Sequence, residues 1–582
     1  MLMKKSKYGR NSLFFQINLM LNISSTLRTA LFFLLYFVSC SVLSQSETGR
    51  LILTIIDSET DTATPARVEI LGSDGKTYIA SDAILVGGDC DMTNEGGERL
   101  HSLDVSLGKL GRSVKNPLSK TTQFYSAGLS NIDVPLGLSK IRVFKGPEYN
   151  IYEGSVNITA ESSTSHQVSL SRRIDMRAEG WFSADDHLHI ARPVKELNPF
   201  ISKVLQAEDI HVGNLLQMGK GDYFSIAPQY AHGKKGLYQE GQYILASGQE
   251  NPRTDMLGHS ITLGAEIPIH YPEVYLVYRH FWEEAVKQGA INGAAHFGSH
   301  AGGNFGLPII LPHDLLHFME VLSFNSSDYD LWYDILNLGY QVSPTAGSDF
   351  PCASILGHER FYTKVEGVFS YSNWLDGIRN GNTFVTTGPL LEFKVNGNEM
   401  GSKISLKAPS IVNIAGSVSF DVKRDNLHGI ELIENGKVIG SFPRIDLKDR
   451  ITFKVKKEIV QSGWLAIRSY YRDWNELNSN SPLSIVHSAP VYIDIASDKK
   501  MSTMPEHKKA AIRVFLARLE DLEKRLSVDD IDKGVGQLLS RYWAYVPEQT
   551  YFKNKDFLLK EIADAKRYFN GLQDNQSDLL NN

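Results

Sequence analysis

Cysteine is scarce in this chain, which has three cysteines in 582 residues and no Cys-x-x-Cys pair. A scaffold built on disulfide bonds and a zinc ribbon with paired thiolates are therefore both excluded, while one disulfide between Cys90 and Cys352 stays open. A basic surplus is also absent, because the net charge is −6 at pH 7. This balance argues against nucleic acid as a partner.

One short apolar run stands near the N-terminus. Residues 30–38 follow Arg28 and precede a small-residue pattern that ends at Ser44, as in a secretory signal peptide. The run is too short to span a bilayer comfortably. We predict that residues 1–44 are removed, with Met20 as an alternative start, and that the mature protein is secreted or periplasmic without an integral membrane segment.

Cleavage of this segment changes the charge of the mature chain. It removes five cations and no acid, so the net charge moves from −6 to about −11. Lipid attachment at Cys40 is the alternative to simple cleavage, and it ranks lower because residues 37–40 make a poor lipobox.

The rest of the chain is too long for one hydrophobic core, so several domains are expected. Its pattern predicts a multidomain protein in which a central (β/α) barrel is flanked by an N-terminal β-sandwich, a C-terminal Ig-like β-domain and a helical tail. The predicted boundaries are 49–175 for the first sandwich, 180–390 for the barrel, 391–497 for the second sandwich and 505–582 for the tail.

The barrel prediction rests on alternating segments. Strand-like runs at 243–248, 291–296 and 341–346 are separated by helical patterns, such as the one at 274–288. Alternation of this kind predicts parallel strands joined by helical crossovers, and the length fits a closed or nearly closed barrel. In the tail, one apolar stripe is interpreted as a packing surface of a docked helical hairpin: Phe515, Leu519, Leu522 and Leu526.

The sequence Asp186-His187-Leu188-His189 carries the strongest chemical signal. In an extended chain, alternate residues point the same way, so His187 and His189 project two imidazoles to one side. Two neutral imidazoles in that arrangement suit a divalent transition metal. Alone the pair is a weak signal, since two surface or hydrogen-bonded histidines would give the same pattern.

Further residues of metal-ligand type follow at predicted strand ends: Glu250, His259, His296 and Asp349. Each has a structural alternative as a helix cap, an ion-pair partner, a turn residue or a buried core histidine. Barrel enzymes assemble their sites at the carboxyl ends of strands, so the set as a whole predicts one metal site. His211 is an open case, because its strand could equally well bury it.

These residues resemble a known family. Asp186 to His189, Gly248-Gln249-Glu250, Gly258-His259, Ala294-Ala295-His296, Gly347-Ser348-Asp349 and Thr386-Thr387-Gly388-Pro389 together look like the CehA/McbA metallohydrolases of the PHP (polymerase and histidinol phosphatase) superfamily. The resemblance covers about residues 120–400 and implies a PHP-like barrel. It is specific for the superfamily and much less so for the substrate.

The resemblance also implies roles for individual residues. His187, His189 and Asp349 would hold one metal ion, and Glu250 would bridge to a second ion held by His259 and His296. The cofactor would be one or two divalent ions of zinc, manganese or iron, with water activated on one and a scissile oxygen polarised by the other. Pro351 stands where a further histidine would complete the fuller superfamily pattern, so a third metal is not expected.

Other residues receive secondary interpretations. Glu250 and Asp349 are the candidate catalytic carboxylates, with Asp349 as a ligand and proton acceptor. His300 could protonate a leaving group or be an ordinary loop histidine. Lys220 could stabilise an anionic intermediate, and Glu320 could support the ligands from behind.

The expected function is a secreted hydrolase that cleaves an ester, amide or carbamate bond of a small molecule. A phosphoesterase of the same superfamily is the first alternative, although the sequence offers no basic clamp beyond Lys220, Arg192 and Arg253. A non-catalytic surface module that binds carbohydrate or protein is the second. A purely structural metal is disfavoured because structural zinc sites are closed and usually contain cysteine.

Overall fold

The computed structural model describes most of the chain after the predicted signal peptide. The described residues are 47–87, 110–116, 119–160, 163–221, 223–296, 306–324, 326–351, 353–445, 448–470, 484–496, 504–528, 530–532, 534–539 and 546–574. The signal peptide, all three cysteines and His300 lie outside these ranges, so the predictions about them are not addressed by the structure. The side chain of Lys220 is outside the described part as well.

In its described residues, the N-terminal domain has two larger β-sheets around a common core and one short two-stranded sheet. One sheet has β1 at its centre, paired with β2, β9 and β12, and the other runs in the order β11-β10-β3-β8-β7 with β4 beside β3. The strands are β1 Thr48–Asp57, β2 Thr62–Ala63, β3 Ala66–Leu71, β4 Thr77–Tyr78, β5 Val86–Gly87, β6 Leu110–Gly111, β7 Val114–Lys115, β8 Thr122–Ser126, β9 Leu129–Pro135, β10 Gly137–Phe144, β11 Tyr152–Ile158 and β12 Thr164–Leu170.

Side-chain alternation explains this packing. Leu51, Leu53 and Ile55 on β1 are fully buried, as expected for a strand with one face toward a core. Val68 and Ile70 on β3 face the same core from the second sheet.

The central domain contains the longest mixed sheet and most of the helices. Its strands are β13 Trp181–Leu188, β14 Val212–Lys220, β15 Tyr223–Ile226, β16 Tyr238–Glu240, β17 Tyr243–Thr254, β18 Gly258–Leu263, β19 Ile291–Ala294, β20 Phe318–Ser323, β21 Ser326–Ser327, β22 Ser343–Ala346, β23 Arg360–Lys364 and β24 Thr383–Thr386. Its helices are α1 Asn198–Ala207, α2 Gly233–Gly236, α3 Tyr278–Lys287, α4 Leu307–Ile310, α5 Asp330–Leu338 and α6 Tyr371–Arg379. Single 3-10 turns occupy Met176–Glu179, Lys195–Leu197, Pro272–Val274 and Leu311–His313.

The strands of this domain lie in the order β23-β13-β14-β17-β18-β19-β20-β22. β13, β14 and β17 are parallel to one another, and β19, β20 and β22 run in the same direction. β18 runs the opposite way, between β17 and β19. β18 departs from the predicted parallel arrangement because only three residues join β17 to β18, whereas a parallel crossover needs about a dozen or more.

Strand pairing within the described residues does not close this sheet into a barrel. β22 is hydrogen-bonded to β20, and the segment after β22 meets β13 through a single bridge between Leu188 and Phe350. The His189 N–H donates to the Phe350 carbonyl at 2.8 Å within that bridge. The PHP-like barrel therefore stays a prediction, and the sheet curves so that β13 and the segment after β22 come together.

The C-terminal β-domain again consists of two sheets. Its strands are β25 Leu390–Val395, β26 Asn398–Glu399, β27 Lys403–Leu406, β28 Ser410–Ser419, β29 Gly429–Glu434, β30 Lys437–Pro443, β31 Arg450–Ile459, β32 Gly463–Tyr470, β33 Val486–Ser488 and β34 Val491–Ile495. One sheet has the order β26-β25-β28-β31. The other contains β27, β34, β32, β29 and β30, and β33 joins it to β24 of the central sheet.

The described part of the tail contains three helices that pack on the central domain. They are α7 Glu506–Leu526, α8 Gly536–Leu539 and α9 Glu548–Asp574. The predicted apolar stripe of α7 is fully buried and belongs to the same hydrophobic core as α5. The Tyr340 and Tyr568 hydroxyls lie 2.8 Å apart, which connects the central domain to α9. Among the described helices, none is long and apolar enough to cross a membrane.

We expect the tail to contribute measurably to stability. Phe515 is fully buried and stacks on Phe569 with ring centroids 5.5 Å apart. Phe515→Ala should lower the free energy of unfolding by about 3 to 5 kcal/mol, because it leaves a cavity in the shared core. Denaturant titration followed by tryptophan fluorescence measures this change.

Phe552 on the same tail is the matched control because it is 56% exposed. Phe552→Ala should change the free energy of unfolding by no more than about 0.5 kcal/mol. Equal effects of the two substitutions would contradict a docked tail.

Candidate metal centre

The candidate ligands meet at one edge of the central sheet. His187 lies near the end of β13, with His189 just beyond it; Glu250 lies on β17, His296 follows β19, and Asp349 follows β22. These strands run in the same direction, so the residues at or beyond their carboxyl ends converge at that edge. His259 reaches the same place by a different route, because it lies at the amino end of the antiparallel β18.

The ligand atoms sort into two sets around the carboxylate of Glu250. Near its Oε2 lie His187 Nε2 at 3.8 Å and His189 Nε2 at 3.5 Å. Asp349 Oδ1 completes this first set, 3.1 Å from His189 Nε2 and 3.6 Å from His187 Nε2. This is the grouping that the family resemblance implies for one ion.

The second set surrounds the other oxygen of Glu250. His259 Nδ1 lies 2.6 Å from Oε1, and His296 Nε2 lies 3.6 Å from it. Within each of two ligand triplets, His187–His189–Glu250 and Glu250–His259–His296, the ligand atoms lie within 4.8 Å of one another. A carboxylate placed between two imidazole groups in this way can bridge two cations.

The hydrogen-bonding state of these atoms supports the metal interpretation. Neither Glu250 oxygen and neither His259 nitrogen has a partner with hydrogen-bond geometry among the described residues, although all four atoms are buried. The 2.6 Å approach of His259 Nδ1 to Glu250 Oε1 is therefore a close contact without hydrogen-bond geometry. Buried polar atoms without partners are costly, so the donor set fits a divalent cation.

Charge at the site also favours a cation. Burial raises the pKa of Glu250, but Arg253 and His259 outweigh it and hold that pKa well below its usual range. Burial opposes ionisation of Asp349 too, yet His187 and His189 hold its pKa at about 2. Burial lowers the pKa of His187, whereas Glu320 and Asp349 raise it well above its ordinary value. The imidazole of His187 thus lies in a strongly negative field.

Glu320 orients two of the ligands from behind. Its Oε1 lies 2.7 Å from His187 Nδ1, and its Oε2 accepts the backbone N–H of His296 at 2.7 Å. A carboxylate only accepts, so His187 donates from Nδ1, and its Nε2, which lies 3.1 Å from His189 Nε2, is the nitrogen that would face a metal. His189 Nδ1 is held in the same way by the Leu216 carbonyl at 3.2 Å.

Asp185 is a supporting residue that sequence reasoning missed. Its Oδ1 accepts the backbone N–H groups of His187 and Ser348, both at 3.1 Å. Its Oδ2 accepts from Ser348 Oγ at 2.5 Å and from the Gly357 N–H at 2.9 Å. Asp185 therefore joins β13 to the segment that carries Asp349. The doubled aspartate before His187 was the available signal.

Two backbone features occur at the sheet edge that carries the candidate ligands: a very close approach at Gly347, and strained conformations at His296 and Asp349. A Cβ at Gly347 would lie 2.3 Å from the His187 Cβ and 2.7 Å from Glu320 Oε1, so only glycine fits there. His296 and Asp349 have left-handed backbone conformations with φ of 46° and 48°. Non-glycine residues rarely adopt this conformation, and such strain concentrates at functional sites.

Two other predicted site residues are not brought into the cluster. His211 precedes β14, where Val212 pairs with Ala184, so it lies toward the amino ends of these strands. Its Nδ1 lies 2.8 Å from Ser183 Oγ and its ring stacks on Tyr243, while burial lowers its pKa to about 4. The interpretation of His211 as an accessory ligand is therefore corrected: it is a buried core histidine.

Arg192 does not form a clamp at the site either. Its guanidinium donates to Asn198 Oδ1 at 3.0 Å, to the Gly236 carbonyl at 2.8 Å and to Ser247 Oγ at 2.7 Å. All of these partners are protein atoms, so Arg192 has a structural role. Arg253, in contrast, lies beside the cluster, with its Nε 3.3 Å from Glu250 Oε2.

Comparison with known proteins adds little to this geometry. No family model and no curated protein matches the chain. A pilus 2b backbone protein of group B streptococcus is similar at 12% identity and a TM-score of 0.14, over 22% of this chain and 43% of that one. A lesion-specific endonuclease of Pyrococcus furiosus is similar at 12% identity and a TM-score of 0.23, over 34% of this chain and 56% of that one. The chain thus spans about half of each structure, and similarity this weak carries no functional argument.

The two ligand sets predict how metal content responds to substitution. We expect about one to two equivalents of zinc, manganese or iron per chain by elemental analysis. His259→Ala/His296→Ala removes two ligands of the Oε1 set and should lower the content while sparing the other set. His187→Ala/His189→Ala should likewise remove the ion of the Oε2 set.

His211→Gln is the control, because His211 lies outside both sets and its replacement should leave the metal content unchanged. Circular dichroism confirms that each variant is folded. A parent protein without metal after incubation with all three ions would contradict the assignment, as would metal loss in His211→Gln alone.

Proposed function

We propose that this protein is a metal-dependent hydrolase that uses water to cleave an ester, amide or carbamate bond of a small molecule. The observation that carries the proposal is the pair of ligand sets sharing Glu250, built only from histidines and carboxylates. Structural zinc sites are closed and usually contain cysteine, whereas catalytic sites use this donor type. Secretion belongs to the same proposal and rests on the N-terminal sequence.

The chemistry that divalent ions supply when bound here is Lewis acidity, which makes water more acidic and polarises a scissile carbonyl or phosphoryl oxygen. Glu250 is fully buried and lies between two imidazole groups, so it serves as a ligand. Glu320 and the Leu216 carbonyl keep the imidazoles of His187 and His189 in their ligating orientation.

Asp349 is the residue best placed to take up a proton. Its side chain is 11% exposed, while that of Glu250 is 0% exposed, so water and substrate reach Asp349 more easily. With a pKa of about 2, Asp349 is ionised at neutral pH. A carboxylate in that state can accept a proton from attacking water and release it to solvent or to the leaving group.

Arg253 favours phosphoester cleavage as a second candidate function. It is buried beside the cluster, and its only ion pair among the described residues joins its Nε to Glu250. Its Nε is buried and has no acceptor with hydrogen-bond geometry among those residues. A guanidinium with free donors matches the oxygens of a phosphoryl group.

A substrate panel tests the principal proposal. We expect metal-loaded protein to cleave at least one of p-nitrophenyl acetate, a p-nitrophenyl carbamate and p-nitrophenyl phosphate, followed as release of nitrophenol. Glu250→Gln should abolish cleavage, because the uncharged amide would hold divalent cations much more weakly than the carboxylate. His211→Gln should keep the parental rate.

The outcomes separate the alternatives. Cleavage that survives in Glu250→Gln would mean that the reaction occurs elsewhere and would contradict the proposal. Full metal content with none of these substrates cleaved, and no cleavage of wider ester, amide or phosphoester sets, would favour a binding module.

Arg253 gives a sharper test of substrate class. If phosphoesters are the substrates, Arg253→Gln should lower kcat/KM for the phosphate by about 10- to 100-fold, as expected for loss of charge-assisted hydrogen bonds. Cleavage of the neutral acetate should change little. Arg253→Lys keeps the charge and should recover part of the loss. An equal fall for both substrates would instead assign Arg253 to the support of Glu250.

A further inference from the structure

A cavity separate from the candidate metal centre lies where the three β-rich parts of the protein meet. It has a volume of about 520 Å³, and none of the six metal-ligand candidates lines it. The N-terminal sandwich contributes one wall, the segment before β23 another, and the C-terminal β-domain the third. Its charged lining groups and one histidine are Arg67, Arg142, His358, Lys423, Arg424, Arg444 and Asp425. We call this cavity the basic cleft.

The charge of the basic cleft is opposite to that of the whole chain. Five cationic side chains line it and one carboxylate, Asp425, does so, while the chain carries a net charge of −6. Cations gathered in a concave surface raise the local concentration of anions, because low-dielectric walls focus the field. This concentration of positive charge therefore requires an explanation.

Structural pairing explains some of these cations. Arg67 is paired with Glu208, and Arg142 lies 3.0 Å from Glu153 and 3.8 Å from Glu69. Arg424 is paired with Asp425 at 2.8 Å. Lys423 differs from them, because no carboxylate lies within ion-pair distance of it in the described part of the chain. Lys423 thus contributes a positive charge to the cleft that ion pairs among the described residues do not offset.

Several of the cationic groups are held in place before any ligand arrives. The guanidinium carbons of Arg67 and Arg142 lie 4.5 Å and 5.0 Å from the centroid of the Phe144 ring. Arg424 lies against the turn that begins at Thr386, where a Cβ at Gly388 would approach its Nε to 3.0 Å. Guanidinium groups fixed by stacking lose little entropy when they bind an oxyanion.

The pKa of His358 is affected by the same positive charges. Its pKa is lowered to about 3, first by burial and then by Arg360, Arg67 and Arg424. At neutral pH the imidazole is therefore uncharged. The neighbouring polar lining adds hydroxyl and amide groups that can donate and accept hydrogen bonds: Asn116, Ser119, Gln123, Thr387, Asn426 and Ser484.

We propose that the basic cleft binds a small hydroxylated molecule carrying a phosphate or sulfate group. Its volume falls in the usual range of small-molecule sites, about 300 to 1,000 Å³, and exceeds what one inorganic anion fills. The cations would hold the oxyanion, and the amide and hydroxyl side chains would contact the rest of the molecule. The proposal is independent of the hydrolase, because the two sites share no residue.

Isothermal titration at constant ionic strength tests the basic cleft. The probes are glucose 6-phosphate, glucose 6-sulfate, inorganic phosphate and uncharged glucose. We expect one or both charged sugars to bind more tightly than inorganic phosphate, and glucose not to bind. The comparison of the two charged sugars distinguishes a phosphate site from a sulfate site.

Matched variants locate the binding. Lys423→Gln/Arg444→Gln removes two cations of the basic cleft and should weaken binding of the charged sugar by about tenfold or more, since charge-assisted hydrogen bonds are lost. Lys454→Gln/Lys456→Gln removes the same charge from exposed positions on β31 and should bind like the parent. Lys423→Arg should also retain binding.

Three results would overturn the proposal. The first is that no charged probe binds to the parent protein. The second is that binding survives unchanged in Lys423→Gln/Arg444→Gln, which would place the anion elsewhere, such as at the metal centre. The third is that both double variants lose affinity equally, which would indicate only a response to net charge.

Discussion

The site depends on one buried carboxylate. Glu250 is 0% exposed, and each of its oxygens faces a different group of imidazoles. A buried charge with no hydrogen-bonded partner is costly unless a cation compensates it. The candidate ligands around its two oxygens come from β13, β18 and the segments after β19 and β22. The arrangement of these elements therefore follows from the need to surround Glu250.

A supporting layer keeps the ligands in these positions. Glu320 fixes the ring of His187 and the backbone of His296, and Asp185 ties β13 to the loop after β22. Both carboxylates are buried, so they hold positions instead of contacting solvent. Glycine at 347 allows β13 and that loop to approach closely. Side chains thereby connect β13 to the segment after β22, where strand pairing does not close the sheet. This connection lies at the sheet edge that carries the candidate ligands.

Local pattern predicted much of this arrangement, because it depends on neighbours along the chain. Alternation placed His187 and His189 on one side of a strand, and the apolar period of α7 predicted its buried stripe. The helical pattern predicted at 274–288 also follows from local signals, and α3 Tyr278–Lys287 lies within it. The direction of a strand is harder to predict from the sequence. The chain reverses between β17 and β18 within three residues, and hydrophobic periodicity does not reveal such a reversal.

Residue type and local spacing are enough to identify the candidate metal ligands and many of the strands and helices. Which of those candidates meet follows from the tertiary fold. His259 joins the cluster because β18 runs backwards, whereas His211 is excluded because it lies at the opposite end of β14. Asp185 and Arg253 acquire their roles in the same way, because contact between distant residues depends on the direction and register of strands that no local pattern encodes.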